Sequence, residues 1–451
     1  MNIILLSGGS GKRLWPLSND IRSKQFIKIF KTGDGLESMV QRVYMQIKTV
    51  DRDATVTIAT SKSQVSAIHN QLGMGVGVSV EPCRRDTFPA IALATAYLHD
   101  VQKVSLEEAV VVCPVDPYVN DDYFSAIRKL WELAQEDAAN LVLMGIDPTY
   151  PSEKYGYIMP VSLDEVSKVS KFREKPDAAT AQKYIDAGGL WNGGVFAYKL
   201  KYVLDRAHEL IEFTDYHDLF AKYESLKRIS FDYAVVEHEK DIAVLRFAGQ
   251  WKDLGTWNTL SEAMEEPSIG KAILDSTCSN VNVINELDVP VLVMGGKDII
   301  VAASPEGILV SDKKLSSYIK PYVDSFVQQV MFAEKSWGSY RVLDVGPDSL
   351  TVKVTLNPGH GMNYHSHERR SEVWTIVSGS GQVVVDGVSR LVSSGDVIDL
   401  PLGCKHTVKA SDTGLQIIEV QMGKDISVND KIKYPLSDYV FHNTIEAYNK
   451  A

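Results

Sequence analysis

Over the first 265 residues, short unbroken apolar runs alternate with amphipathic stretches. The runs are NIILLS (2–7), ATVTIAT (54–60), EAVVVCPV (108–115) and NLVLMGI (140–146). Val, Ile and Leu follow one another in them without polar alternation, as in strands covered on both faces. Between them ESMVQRVYMQIKTV (37–50) and PAIALATAYLHDVQ (89–102) have a helical texture. Strand and helix in alternation predict βαβ units, an α/β fold on a mixed, mostly parallel sheet.

The pattern changes twice further on. Residues 278–312, CSNVNVINELDVPVLVMGGKDIIVAASPEGILVSD, give short β-rich pieces broken by Gly, Pro, Asn and Asp, with no helical period. After about 330 come SLTVKVTLNPG (349–359), EVWTIVSGSGQVVVDGV (372–388), GDVIDLPLG (395–403) and GLQIIEVQMG (414–423). SGSGQ and VDGV are hairpin signals. Regularly spaced short strands predict a sandwich or barrel. The expected organisation is an α/β domain over 1–265, a small β module over 266–328 and an all-β domain over 329–451.

Composition narrows the function. A net charge of −11 and a pI near 5.5 speak against nucleic acid and membrane surfaces, which need basic patches. Small phosphorylated substrates stay open, because a few placed Lys and Arg suffice for them. Cys83, Cys113, Cys278 and Cys404 are too scattered for a C-x-x-C motif and read as reduced thiols. MNIILL passes straight into a Gly-rich turn, so it reads as a first strand rather than a leader. These features lead to the expectation of a cytoplasmic enzyme.

SGGSGKRLWP (7–16) follows that first strand. Gly8, Gly9 and Gly11 permit close backbone approach to a phosphate. Arg13 stands where a Walker A loop needs Ser or Thr, and Leu14 where the dinucleotide fingerprint needs its third glycine. Lys12, Arg13 and Lys24 add cations suited to a triphosphate. A second constellation lies far downstream in GHGMNYHSHERRSEVW (359–374). His365 and His367, at i and i+2, share one face of a strand, and Glu372 returns to the same side after a polar turn. GDVIDLPLGCKH (395–406) adds His406. Three imidazoles and a carboxylate suit a divalent transition metal such as Zn²⁺, or Mn, Fe, Co or Ni.

SGGSGKRLWPLSNDIRSKQF (7–26) resembles the signature of sugar-nucleotide pyrophosphorylases, and of mannose-1-phosphate guanylyltransferases in particular. EPCRRDTFPAIALA, CPVDPYV, YGYIMP, FREKPD, LWNGGVFAY and WKDLGTW follow in the family's order. The resemblance implies a Rossmann-like, GT-A-like nucleotidyltransferase domain. It also implies attack of a mannose 1-phosphate oxygen on the α-phosphate of GTP, with Mg²⁺ bound by Asp116 and Asp253. Arg13 and Lys24 would neutralise charge, and the glycine loop with Lys12 would hold nucleotide phosphates. Arg85, Asp86 and Thr87 would read the base, Glu174 and Lys175 would contact the sugar phosphate, and Gly156 and Asn192 would lie beside the sugar ring. Two departures stand out: Lys12 where the family often has Thr or Ser, and Asp116-Pro117 where it often has Asp-His.

The spacings around His365 and His406 resemble the two cupin motifs, which implies a jelly-roll domain. EKSWGSYRVLD, RRSEVWTIVSG and IIEVQ resemble type II mannose-6-phosphate isomerase. Interconversion of fructose 6-phosphate and mannose 6-phosphate is implied, with Arg370 in catalysis or phosphate binding. His365, Arg369 and Val373 depart from that family's usual Gln, His and His. The alternatives are a guanylyltransferase whose cupin is a non-catalytic metal- or sugar-binding or oligomerising module, and a regulatory subunit without catalysis; a homo-oligomer is the partner expected besides the substrates.

Overall fold

A computed structural model describes residues 1–8, 12–19, 21–33, 35–325, 329–427 and 430–435. Gly9 and Gly11 lie outside them. A nine-stranded sheet runs in the order Gly77–Glu81, Thr55–Ser61, Asn2–Ser7, Ala109–Pro114, Leu190–Lys199, Leu141–Ile146, Ile242–Phe247, Val166–Arg173, Tyr157–Pro160. The first four strands are parallel, as are Leu141–Ile146 and Ile242–Phe247. Leu190–Lys199 runs antiparallel to both of its neighbours, which makes the sheet mixed. The continuous apolar runs are buried on both faces: Ile3 and Ile4 are each 0% exposed yet belong to different core clusters, one above and one below the sheet.

The two stretches of helical texture overlap the helices Met39–Val50 and Thr87–Ala96, and further helices such as Asp121–Gln135 and Leu200–Leu210 cover the sheet as well. Met39–Val50 starts at Ser38, whose hydroxyl accepts from the Gln41 N–H while the Gln41 side chain accepts from the Ser38 N–H. That reciprocal cap satisfies two otherwise unpaired donors. Among the described residues no helix is long and apolar enough to cross a membrane.

The β module is built mostly from parallel rungs, with one hairpin at its edge. Ser268–Gly270, Asn282–Asn285 and Ile299–Ser304 pair in parallel, and Gly307–Asp312 closes the edge antiparallel. Ala272–Leu274 and Val291–Val293 form a second parallel pair. Two short helical pieces, Leu315–Tyr318 and Lys320–Asp324, follow; the irregular polar sequence gave no period from which to expect them. Ile284, Ile300 and Ala302 belong to the same buried cluster as Leu14 and Leu17. The module thus shares a core with the nucleotidyltransferase-like part.

The last part is a strand barrel. Ser349–Leu356 alternates strictly, with Leu350, Val352, Val354 and Leu356 inward. The long strands Ser371–Val385 and His406–Met422 pair along most of their lengths and bring the sheet round on itself. Trp374, fully buried, fills the centre beside Ile376 and Ile417.

Candidate active sites in two domains

The first site lies at the carboxyl ends of Asn2–Ser7 and Ala109–Pro114. Chain reversal after Ala109–Pro114 forms the short strand Pro117–Val119, which pairs antiparallel with Trp251–Asp253, so Pro117 lies opposite Asp253. Proline is tolerated at the start of such an edge pair because no ladder bond needs its missing N–H. This pairing brings Asp116 and Asp253, 137 positions apart in sequence, to one cation. Lys24 Nζ is 2.8 Å from Asp116 and 3.5 Å from Asp253. Burial would lower the Lys24 pKa, but the two carboxylates outweigh it and hold the ammonium above its ordinary value. A pair of acidic side chains already sharing one positive charge has the chemistry of a Mg²⁺ site, in which one or two carboxylates serve and phosphate and water complete the shell.

Beside this cluster is a cavity of about 220 Å³ lined by Asp116, Asp253, Gly156, Glu174 and Asn192. A Cβ at position 156 would collide with Glu174 Oε2 and meet the Phe172 ring at 3.0 Å, so a larger residue there would displace the Glu174 carboxylate. Glu174 is buried and ion-paired with Lys175, whose backbone has a φ of 42°. Asn192 donates from Nδ2 to Asp232 Oδ1 at 2.6 Å and accepts from the Gly194 N–H at 3.1 Å. Asp232 also lines the cavity, and no motif marks it. Lying two residues inside SFDYAVVE, it reads as an ordinary helix-start acid.

Burial, and then the nearby Glu174 charge, push Asp232 up to about 6. A carboxyl raised in this way destabilises the folded protein once it ionises. The penalty is absent below the ordinary carboxylate range and complete above about pH 6. Asp232→Asn keeps an acceptor for Asn192. It should therefore unfold at higher temperature than the unaltered chain at pH 7.5, by about 1–2 kcal/mol of stability. The gain should vanish near pH 4. Equal gains at both pH values would show that the charge is not the cause.

The other nucleotide-loop residues are placed differently. Gly8 is exposed and a Cβ there would touch nothing. Arg13 is exposed on the turn Lys12–Leu14. Lys12 reaches Asp324 in the β module at 3.0 Å. Arg85, Asp86 and Thr87 are not among the residues lining the cavity. Asp86, at φ 73°, caps the helix Thr87–Ala96 by accepting from the Thr87 N–H at 2.9 Å. Thr87 Oγ1 accepts from the Phe231 N–H at 2.8 Å, and Arg85 donates to the Glu224 carbonyl. Arg85 and Thr87 thus brace the segment 224–231 against the start of the helix that Asp86 caps.

The second site is inside the barrel. His365 lies in the two-residue strand His365–Ser366, opposite His406. His367 falls just past that strand, so a shared strand face does not account for the pair. The histidine ligand atoms nonetheless lie within 4.8 Å of one another, all three residues buried. Each Nδ1 faces a backbone carbonyl: Asn363 for His365 (2.6 Å), Asp430 for His367, and Cys404 for His406 (3.2 Å). Those contacts select the Nδ1–H tautomer and direct the Nε2 lone pairs inward, the arrangement of metal-ligating imidazoles. Burial, with Lys431 nearby, pushes His365 down to about 2, so its ring is neutral. Glu372 Oε1 is 3.1 Å from His367 Nε2, and Oε2 is 3.5 Å from His406 Nε2. His406 Nε2 is buried with no hydrogen-bond partner. An orphaned inward lone pair of this kind fits a divalent cation.

Arg370 is built into this cluster. It donates from Nε to Glu372 Oε1 (2.8 Å) and from Nη1 to the Ser427 carbonyl (2.9 Å), and its Nη2 is 3.1 Å from His367 Nε2. The surrounding cavity, about 460 Å³, is also lined by Glu419, Gln421 and Lys431. Burial and then the Glu372 charge hold Glu419 well above the usual carboxylate range. Burial pushes Lys431 down to about 8, against the pull of Glu419. Glu419 and Gln421 continue the inward register of Leu415 and Ile417. Polar residues on an otherwise apolar inward face were the available sequence signal.

Residues 2–268 match the family described as nucleotidyl transferase, and residues 324–435 the one described as mannose-6-phosphate isomerase C-terminal. The xanthan biosynthesis protein XanB of Xanthomonas campestris pv. campestris (strain B100) is 28% identical over 470 residues, 96% of this chain and 97% of that protein. A mannose-1-phosphate guanylyltransferase of Escherichia coli (strain K12) is 28% identical over 475 residues, with coverage of 96% and 97%. Among solved structures, one described as mannose-1-phosphate geranyltransferase from Thermus thermophilus superimposes with a TM-score of 0.60 at 26% identity, covering 72% of this chain and 98% of that one.

Proposed function

Because the chain belongs to the nucleotidyl transferase family, we propose that it transfers GMP from GTP to mannose 1-phosphate, giving GDP-mannose and pyrophosphate. We propose further that its barrel interconverts fructose 6-phosphate and mannose 6-phosphate. The transferase reading is carried by the meeting of Asp116, Asp253 and Lys24 beside the cavity that Gly156, Glu174 and Asn192 line. Asp116 and Asp253 would hold Mg²⁺, which would neutralise phosphate charge at the transferred phosphoryl group. Lys24 and Arg13 contribute fixed positive charge, Lys24 from a half-buried position preorganised by Asp116 and Asp253. Glu174 and Asn192 present acceptor and donor groups suited to sugar hydroxyls, while Lys175 supplies an ammonium for the sugar phosphate. The glycine loop and Lys12 complete the nucleotide side. Base recognition falls to the segment Arg85–Thr87, whose backbone is fixed by its ties to 224–231.

In the barrel, His365, His367, His406 and Glu372 would hold a divalent transition metal such as Zn²⁺. A bound metal would polarise the sugar's C1 and C2 oxygens. Arg370 orients Glu372 and presents a cation to the cavity. Glu419, kept protonatable by burial, and Lys431 are the groups able to take and return a proton there.

Turnover in the barrel is tested by a coupled assay for fructose 6-phosphate formed from mannose 6-phosphate by metal-loaded protein. Steady formation, lost in Arg370→Ala, supports an isomerase. Metal and sugar-phosphate binding without turnover would instead make the barrel a sensing module.

A further inference from the structure

The barrel cavity is not closed by the barrel alone. Among the described residues that line it, all but one come from Gln329 onward, and the exception is Ile21. Strands close the barrel round its sides, so a residue from another domain reaches the interior only at an open end. Ile21 therefore stands at the mouth, while His365, His367 and Glu372 lie deep within.

Ile21 is held there firmly. Asn19 Oδ1 accepts from the Ile21 N–H at 2.9 Å and from the Arg22 N–H at 2.7 Å. Asn19 Nδ2 donates to Glu306 Oε1 at 2.8 Å and to the Phe332 carbonyl at 2.9 Å. Glu306 in turn accepts from the N–H groups of Met331 and Phe332, at 2.8 and 3.1 Å. Arg22, buried, grips Glu286 through two hydrogen bonds of 2.8 and 2.9 Å, and its guanidinium lies 5.1 Å from the centre of the Phe332 ring. One turn of the N-terminal domain is thus bolted to the β module and to the first barrel strand. Its Ile21 side chain lines the cavity that holds the histidine cluster.

We propose that Ile21 is an access- and size-determining residue of the barrel cavity, so that the N-terminal domain sets what the C-terminal site admits. The ligand's identity, a hexose 6-phosphate, rests on the reading of the barrel given above. The control of access rests only on the cavity and its histidine cluster. Truncating the side chain widens the entrance, and enlarging it fills the entrance.

The test uses the full chain loaded with Zn²⁺ and the variants Ile21→Ala, Ile21→Val and Ile21→Trp. A chelator should strip the barrel metal several-fold faster from Ile21→Ala and more slowly from Ile21→Trp, with Ile21→Val in between. Mannose 6-phosphate should bind Ile21→Trp at least about tenfold more weakly, the scale of an overpacked contact. Guanylyl transfer, measured in parallel, should stay within about twofold and so report intact folding. Stripping rates equal to the unaltered chain in both Ile21→Ala and Ile21→Val would overturn the proposal, even if Ile21→Trp fails to fold. Altered stripping rates with no mannose 6-phosphate bound by any of the proteins would leave access control standing and remove the sugar-phosphate reading instead.

Discussion

Asp253→Ala should release pyrophosphate from GTP and mannose 1-phosphate on the order of a thousandfold more slowly than the unaltered chain, the scale on which a preorganised electrostatic contact acts. Asp253 is one of only two carboxylates facing Lys24 among the described residues, and it ends the strand Trp251–Asp253 while Asp116 lies in the turn after Ala109–Pro114. Without it, one acidic side chain remains for a divalent cation, and Lys24 closes on Asp116 as an ordinary ion pair. Structural damage is a poor explanation for such a loss, because the Asp253 side chain is 46% exposed. Exposed ion pairs of this kind contribute little to stability. The measurement is the initial rate of pyrophosphate release at saturating Mg²⁺, with Asp253→Asn beside it. Asn keeps the shape and removes the charge, so it should be about as slow. A rate within a few-fold of the unaltered chain in either variant would take Asp253 out of the metal site.

The sequence and the fold agree most closely where a residue's role follows from its own neighbours. Unbroken Val, Ile and Leu runs became the buried sheet because a strand covered on both faces has no polar side to show. CPVDPYV and WKDLGTW are legible as motifs, yet nothing local in them says that Asp116 and Asp253 meet. The resemblance supplied that pairing, and the Pro117–Asp253 register gives its physical cause. The silent residues are those whose chemistry comes from distant contact. Asp232 looks like a helix-start acid until Asn192 and Glu174 are placed against it. Glu419 looks like one polar step in an alternating strand until the barrel buries it. Ile21 gives no signal at all, because its cavity is assembled from residues more than 300 positions away. Arg85, Asp86 and Thr87 show the converse. The motif is visible, but its side chains carry helix-capping and loop-bracing bonds that spacing does not reveal.

His367→Ala should separate the two halves of the chain. The barrel's metal affinity should fall by more than about a hundredfold, since loss of an outer-shell partner alone costs about 10–100-fold. Guanylyl transfer should stay within about twofold. The asymmetry follows from where the contacts run. His367 is tied to Asp430, Arg370 and Glu372, all inside the barrel. Bonds that join the barrel to the rest of the chain instead run through Glu306, Phe332, Glu334, Asn70 and Arg341, none of them in the histidine cluster. Removing the imidazole also frees Arg370 Nη2 in a buried place, so the loss falls on the isomerase-like site twice, through the metal and through the orientation of Arg370. Metal content after dialysis, measured beside pyrophosphate release in the same preparation, decides the matter. Retained metal would mean that His365, His406 and Glu372 suffice as ligands. A parallel fall in guanylyl transfer would mean that the braces at Asn19 and Glu306 transmit the state of the barrel to the nucleotide loop. In that case the chain would act as one coupled enzyme rather than as two catalysts on a shared frame.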